Sequence, residues 1–190
     1  VFHDGSKVTA DDVVFSFDRI VDPKDPKGAA ATLAGLKPGN TKKVDEKTVE
    51  FHLESPNVIF SEALAVRNAM VVPQGFDPKN PIGSGPFKLT EFRAGEQFTY
   101  APFADYYGGA PYVDSLTVTE FGDETARVNA LTSGEVHAIS QAPMSQTKVI
   151  EATDGLELLN AETGAWRPFT MRIDVKPFDD LRVRQAFRLI

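Results

Sequence analysis

The chain has 190 residues, 42% of them hydrophobic and 25% charged, with a formal net charge of -7 and no cysteine. That composition is ordinary for a globular chain, and the length suits one large domain or two small ones. Disulfides, thiolate metal sites and cysteine nucleophiles are excluded; acids and bases alternate without a basic cluster, which argues against a nucleic-acid partner.

No apolar run approaches the roughly 20 residues that cross a bilayer. The acidic balance is read as a contribution to solubility. The chain opens on Val1-Phe2-His3-Asp4-Gly5 without Met and closes on Ala186 to Ile190 inside a helical pattern. A fragment of a longer protein is therefore expected, and missing targeting signals carry no information.

Thr9 with Asp12 three residues on is a variant capping box. Val13, Val14, Phe17, Ile20 and Val21 follow at helical spacing, and Asp22-Pro23 ends that helix. Val49, Phe51 and Leu53 alternate with Glu50 and His52 as a half-buried strand, with Asp45-Glu46-Lys47 as a hairpin turn before it. Pro56 to Asn68 has helical character. Pro81 to Pro86 reads as a tight, backbone-dominated loop in which Gly83 or Gly85 is expected to take a positive φ.

Phe87 and Leu89 predict a strand, paired with Phe98-Thr99-Tyr100 across an Arg93–Glu96 turn, and Leu116 and Val118 predict another. Asp123 is a candidate cap for a helix that ends at Gly134. Val136 to Ile139 predicts a short strand, Pro143 a helix start closed by Gly155, and Leu156–Leu159 and Phe169–Ile173 two further strands. Asp180 caps a last helix. Strands alternating with helices of this length place the chain in the α/β or mixed α+β class.

Chemistry-bearing patterns are sparse. Asp11-Asp12 and Asp179-Asp180 are paired carboxylates, but helix neighbours do not face one another, and capping accounts for both pairs. His3, His52 and His137 lack metal-ligand spacing. There is no Gly-x-Ser-x-Gly elbow, and Gly83-Ser84-Gly85-Pro86 lacks both the third glycine and the backbone donors of a phosphate loop. Tyr106, Tyr107 and Tyr112 are read as a packed surface loop, with a stacking platform as the alternative. No catalytic residue, cofactor or metal site is expected.

Five stretches, in order along the chain, resemble one known family. Phe2 to Ser16 resembles "FxDGxxxTAxDVxxS"; Pro81 to Leu89 resembles "PxGTGPY/FxL"; Asp105 to Asp114 resembles "NxxYWxGxPxLD". Arg127 to Val136 resembles "RxxALxSGEVD", and Pro177 to Ala186 resembles "PFxDxxVRQA". Together they resemble the extracytoplasmic solute-binding proteins of family 5, the oligopeptide, dipeptide and nickel type that serves ABC importers. Asp105, Tyr107 and His137 stand where that family usually has Asn, Trp and Asp, which leaves ligand type open.

The resemblance implies a type II periplasmic-binding-protein-like fold, here a truncated first lobe with an extra subdomain. It implies residues 1–80 as that subdomain, 81–165 as the main part of lobe 1, and 166–190 as the hinge crossing and start of lobe 2. It implies a periplasmic or cell-surface protein that captures a peptide or other small solute and hands it to a membrane permease. Any membrane tie would run through that permease or a lipid anchor outside the chain. Gly83, Gly85 and Gly164 are the expected turn and hinge glycines. Trp166, Arg167 and Phe169 beside the crossing are candidate ligand contacts, since Arg pairs with carboxylates and Trp stacks; a core Trp166 and a solvated Arg167 are the alternative. Ser140 and Gln141, at the end of the expected Val136–Ile139 strand, are further candidates, with a plain loop as the alternative. A hydrolase on a similar scaffold and a ligand-presenting receptor remain the competing functions, the first lacking any visible nucleophile or metal cluster.

Overall fold

The computed structural model describes residues 1–161 and 168–189. These form two compact units, Val1–Gly122 and Asp123–Ile190.

In the first unit, helix α1 (Ala10–Ile20) begins with the expected capping box. Asp12 N–H donates to Thr9 Oγ1, while Asp12 Oδ2 accepts from Thr9 N–H at 2.8 Å and from its hydroxyl at 2.7 Å. The helix buries Ala10, Asp12, Ser16, Phe17 and Ile20, the stripe that its spacing defines. Strands β1 (Thr41–Lys43) and β2 (Val49–Phe51) form an antiparallel hairpin across the Asp45-Glu46-Lys47 turn. Asp45 Oδ1 accepts Lys47 N–H there at 2.8 Å.

Phe17, Ile20, Ala29, Leu33, Leu36, Ala63 and Ala69 make the core, with Phe51 and Phe60 packed on it. Phe51 sits edge-on to Phe17 at 5.0 Å and to Phe60 at 5.4 Å. Burying Leu33 or Ile20 is worth about 1.5–3 kcal/mol each. The helical stretch expected over Pro56–Asn68 contracts to α2 (Phe60–Leu64), which has no side-chain N-cap.

Strands β3 (Phe87–Arg93), β4 (Gln97–Pro102) and β5 (Leu116–Thr119) form an antiparallel sheet in the order β3-β4-β5. The turn at Arg93–Glu96 is the one the sequence marks, with Glu96 N–H donating to Arg93 O. Cross-strand register aligns Phe92, Phe98 and Val118 in one row and Leu89, Tyr100 and Leu116 in the next. A register shift between Leu89 and Glu91 keeps both rows on one face.

The second unit holds α3 (Glu124–Thr132), a 3-10 turn at Met144–Gln146 that leads into α4 (Thr147–Glu151), and α5 (Leu181–Arg188). Asp123 caps α3 through Ala126 N–H at 2.8 Å, and Gly134 (φ 78°) follows the Ser133 C-cap. Val128, Ala130, Leu131, Pro143 and Ile150 are buried there.

Several expectations are corrected. Val136–Ile139, Leu156–Leu159 and Phe169–Ile173 form no strand among the described residues. A strand exists only where a neighbour satisfies its N–H and C=O groups, and these segments have none in either sheet. Pro143 (φ -63°, ψ 135°) precedes the 3-10 turn instead of occupying its first position, and the helix it leads to ends before Gly155, at Glu151. Neither Gly83 nor Gly85 takes a positive φ. Their loop is held by His3: His3 N–H donates to Gly83 O at 2.8 Å and His3 Nε2–H to Gly85 O at 3.0 Å.

Candidate functional site

The paired acids of α1, Asp11 and Asp12, are structural. Asp11 pairs with Lys43 of β1 at 2.5 Å, so of that pair only Asp12 is a cap. Asp12 Oδ1 also accepts Gln74 N–H at 3.0 Å. Burial opposes charge on Asp12, but the bonds from Thr9 and Gln74 prevail and hold its carboxyl below the usual range. One turn on, Ser16 is fully buried and bonds Asp12 O and the Val72 backbone.

The second carboxylate pair divides similarly. Asp180 caps α5 through Arg182 N–H at 2.8 Å, and its carboxyl is held low by the Arg182 guanidinium and that N–H. Asp179 bonds through its backbone: its N–H donates to Val175 O at 3.1 Å, and its carbonyl accepts from Arg184 Nη1 at 3.1 Å, as Phe178 O does at 2.5 Å. Phe178 leans on Phe187. The Pro177–Ala186 motif is thus a helix start braced by its own arginine. Among the described residues, no group of three or more His, Asp or Glu is placed to hold a metal.

Tyr107 and Tyr112 are exposed, at 90% and 105%, which corrects the expected packed loop. Tyr106 and Tyr107 rings lie 4.5 Å apart, and a hydrogen bond with Tyr107 raises the Tyr106 phenol. A Cβ at Gly108 would fall 2.7 Å from Tyr106 Cε1, so a larger residue there would displace the Tyr106 ring.

Of the candidate ligand contacts, Trp166 and Arg167, with the hinge Gly164, lie outside the described residues. Phe169 is 70% exposed and stacks on Phe187 at 5.2 Å. It lines an open depression of about 510 Å³ with Met171, Arg184, Phe187 and Arg188. Ser140 and Gln141 do not line that depression. They are exposed, and they end no strand. The strand-end argument for them therefore falls, but Gln141 carries a different signal: its φ is 56°. Arg127 Nη2 donates to its carbonyl at 3.2 Å. The sequence does not pair Arg127 with Gln141, because nothing in the spacing from 127 to 141 marks the two as partners.

The comparisons with known proteins agree along the whole chain. The family described as bacterial extracellular solute-binding proteins, family 5 Middle, matches residues 1–190. The dipeptide-binding protein of Escherichia coli (strain K12) is 29% identical over 205 residues, covering 95% of this chain and 38% of its own length. The chain thus spans less than two-fifths of that relative. Among solved structures, AgaA from A.tumefacien R10, in complex with agropinic acid, is 36% identical with a TM-score of 0.72, over 78% of this chain and 32% of its own. NikZ from Campylobacter jejuni, in complex with Ni(L-His), superposes with a TM-score of 0.85 over 98% of this chain and 38% of its own; at 22% identity it speaks for the fold alone.

Proposed function

Because the chain belongs to the bacterial extracellular solute-binding proteins of family 5, we propose that it serves solute capture for an ABC importer outside the cytoplasm. The observation that carries this reading is the family match over residues 1–190, supported by a relative named for dipeptide binding. The family and its relatives are binding proteins and not enzymes. The solute in this reading is a peptide or a similarly sized small molecule, and the partner that receives it is the membrane permease.

The division into residues 1–80, 81–165 and 166–190 is part of the proposal: extra subdomain, main part of lobe 1, and crossing into lobe 2. In this reading Trp166, Arg167 and Phe169 flank the crossing at Gly164 and, with Ser140 and Gln141, face the solute. A hinge needs backbone freedom, and Gly164 between Thr163 and Ala165 supplies the residue type that allows it. Capture without turnover fits the chemistry of the α1 acids: the Asp11–Lys43 and Asp12–Thr9 contacts leave neither group poised as a general base.

The test is mass spectrometry of small molecules that co-purify with the intact protein, followed by titration of those molecules back onto stripped protein. A retained peptide or comparable solute that rebinds unaltered is expected. Cleavage of the solute on incubation would instead establish an enzyme.

A further inference from the structure

Gln141 is the one non-glycine residue with a positive φ among the described residues. Side chains other than Asn, Asp and Gly avoid that region. Such outliers persist only where their surroundings over-determine them, and they gather at ligand clamps and active sites. Two neighbours hold this one. Arg127, on α3, donates from Nη2 to the Gln141 carbonyl at 3.2 Å. Pro143, buried and fixed at φ -63°, restricts Ala142 from the other side.

Arg127 is itself unusual. A solvated guanidinium turns its donors to water, and one recruited for stability takes a carboxylate. Arg127 is half-buried: among the described residues its Nε is shielded from solvent and has no protein partner, and no ion pair includes it. Among the described residues, its guanidinium makes one hydrogen bond, to the backbone of the strained residue. The Gln141 side chain is exposed, and its amide carries both a donor and an acceptor, the complement of a peptide group.

We infer that Arg127 is the positioning residue of the Ser140–Gln141 turn, holding Gln141 left-handed so that its side-chain amide meets a peptide group of the solute. This rests on the solute-capture reading above and names one contact within it. The arrangement is pre-organised, so the solute does not supply the ordering of this turn on binding.

The experiment is calorimetric titration of alanine di-, tri- and pentapeptides onto the intact protein and four variants, with thermal unfolding of each. Gln141→Gly relieves the backbone, so its unfolding midpoint rises while peptide binding weakens about tenfold. Gln141→Asn, which tolerates the left-handed region and keeps the amide, retains most of the affinity. Arg127→Lys keeps the charge but loses the planar fork; it weakens binding in the parent and has no further effect combined with Gln141→Gly. Equal binding by Gln141→Gly and the parent overturns the inference while leaving solute capture intact. Additive losses in the double variant also overturn it, because they mean that Arg127 acts independently of the turn. If the parent binds none of the peptides, peptide capture itself fails, and the inference with it. Should Arg127→Lys not fold, the Gln141→Gly and Gln141→Asn pair decides whether the amide is a contact.

Discussion

Ser16 and Val72, 56 residues apart in the chain, are joined through one hydroxyl: Val72 N–H donates to Ser16 Oγ at 2.8 Å, and Ser16 Oγ lies 3.1 Å from Val72 O. With Asp12 on Gln74 N–H, it fastens α1 to the Val72–Gln74 segment. Removing the hydroxyl leaves a shielded backbone donor unmatched, which costs about 1–3 kcal/mol. Ser16→Ala is therefore expected to lower unfolding stability by that amount in urea titration. An unchanged midpoint would mean that water replaces the hydroxyl.

Acid should loosen the same fastening. The Asp12 carboxyl lies below its unfolded value, which is about 3.9. A depressed carboxylate contributes stability that is complete above the unfolded pKa and is lost as pH falls through the folded one. Asp12→Asn is expected to destabilise the protein at neutral pH and to differ less from the parent near pH 3. Urea unfolding at the two pH values measures this; a gap that stays constant refutes it.

The glycines of the 81–86 loop and the glycine after α3 should respond oppositely. Gly85 is outside the left-handed region and a Cβ there meets nothing within 4 Å, so Gly85→Ala is expected to be neutral or to stabilise by up to about 1 kcal/mol. Gly134 also has open space but sits at φ 78°. Its cost is therefore purely conformational, and Gly134→Ala should destabilise by about 1–2 kcal/mol. Thermal unfolding of the two variants side by side checks the contrast.

Thr41, in β1, is 2% exposed, and its hydroxyl has no hydrogen-bond partner among the described residues. Thr41→Val keeps the β-branched shape and removes the unsatisfied group. A gain of about 1 kcal/mol is expected in denaturant unfolding. A loss would show that the hydroxyl is satisfied by solvent.

What the sequence alone determined is local or family-wide. The caps at Thr9, Asp123 and Asp180 and the turns at Asp45–Lys47 and Arg93–Glu96 close within two or three residues. Their partners therefore lie inside any short window, and residue type suffices to find them. Alternation over Val49–Phe51 and Phe98–Tyr100 marks strands for the same reason, and five ordered motifs mark the family. Tertiary structure decided the rest. No window containing Val136–Ile139 says whether a neighbouring strand will satisfy it, and here none does. His3 reaches Gly85 across 82 positions, Ser16 reaches Val72, and Arg127 reaches Gln141. Those contacts exist because packing brings distant backbone carbonyls and donors to the same place, where burial makes a missing partner costly. The left-handed turn at Gln141 belongs with them: its residue type argues against it, and the guanidinium that bonds its carbonyl comes from Arg127, on a different element.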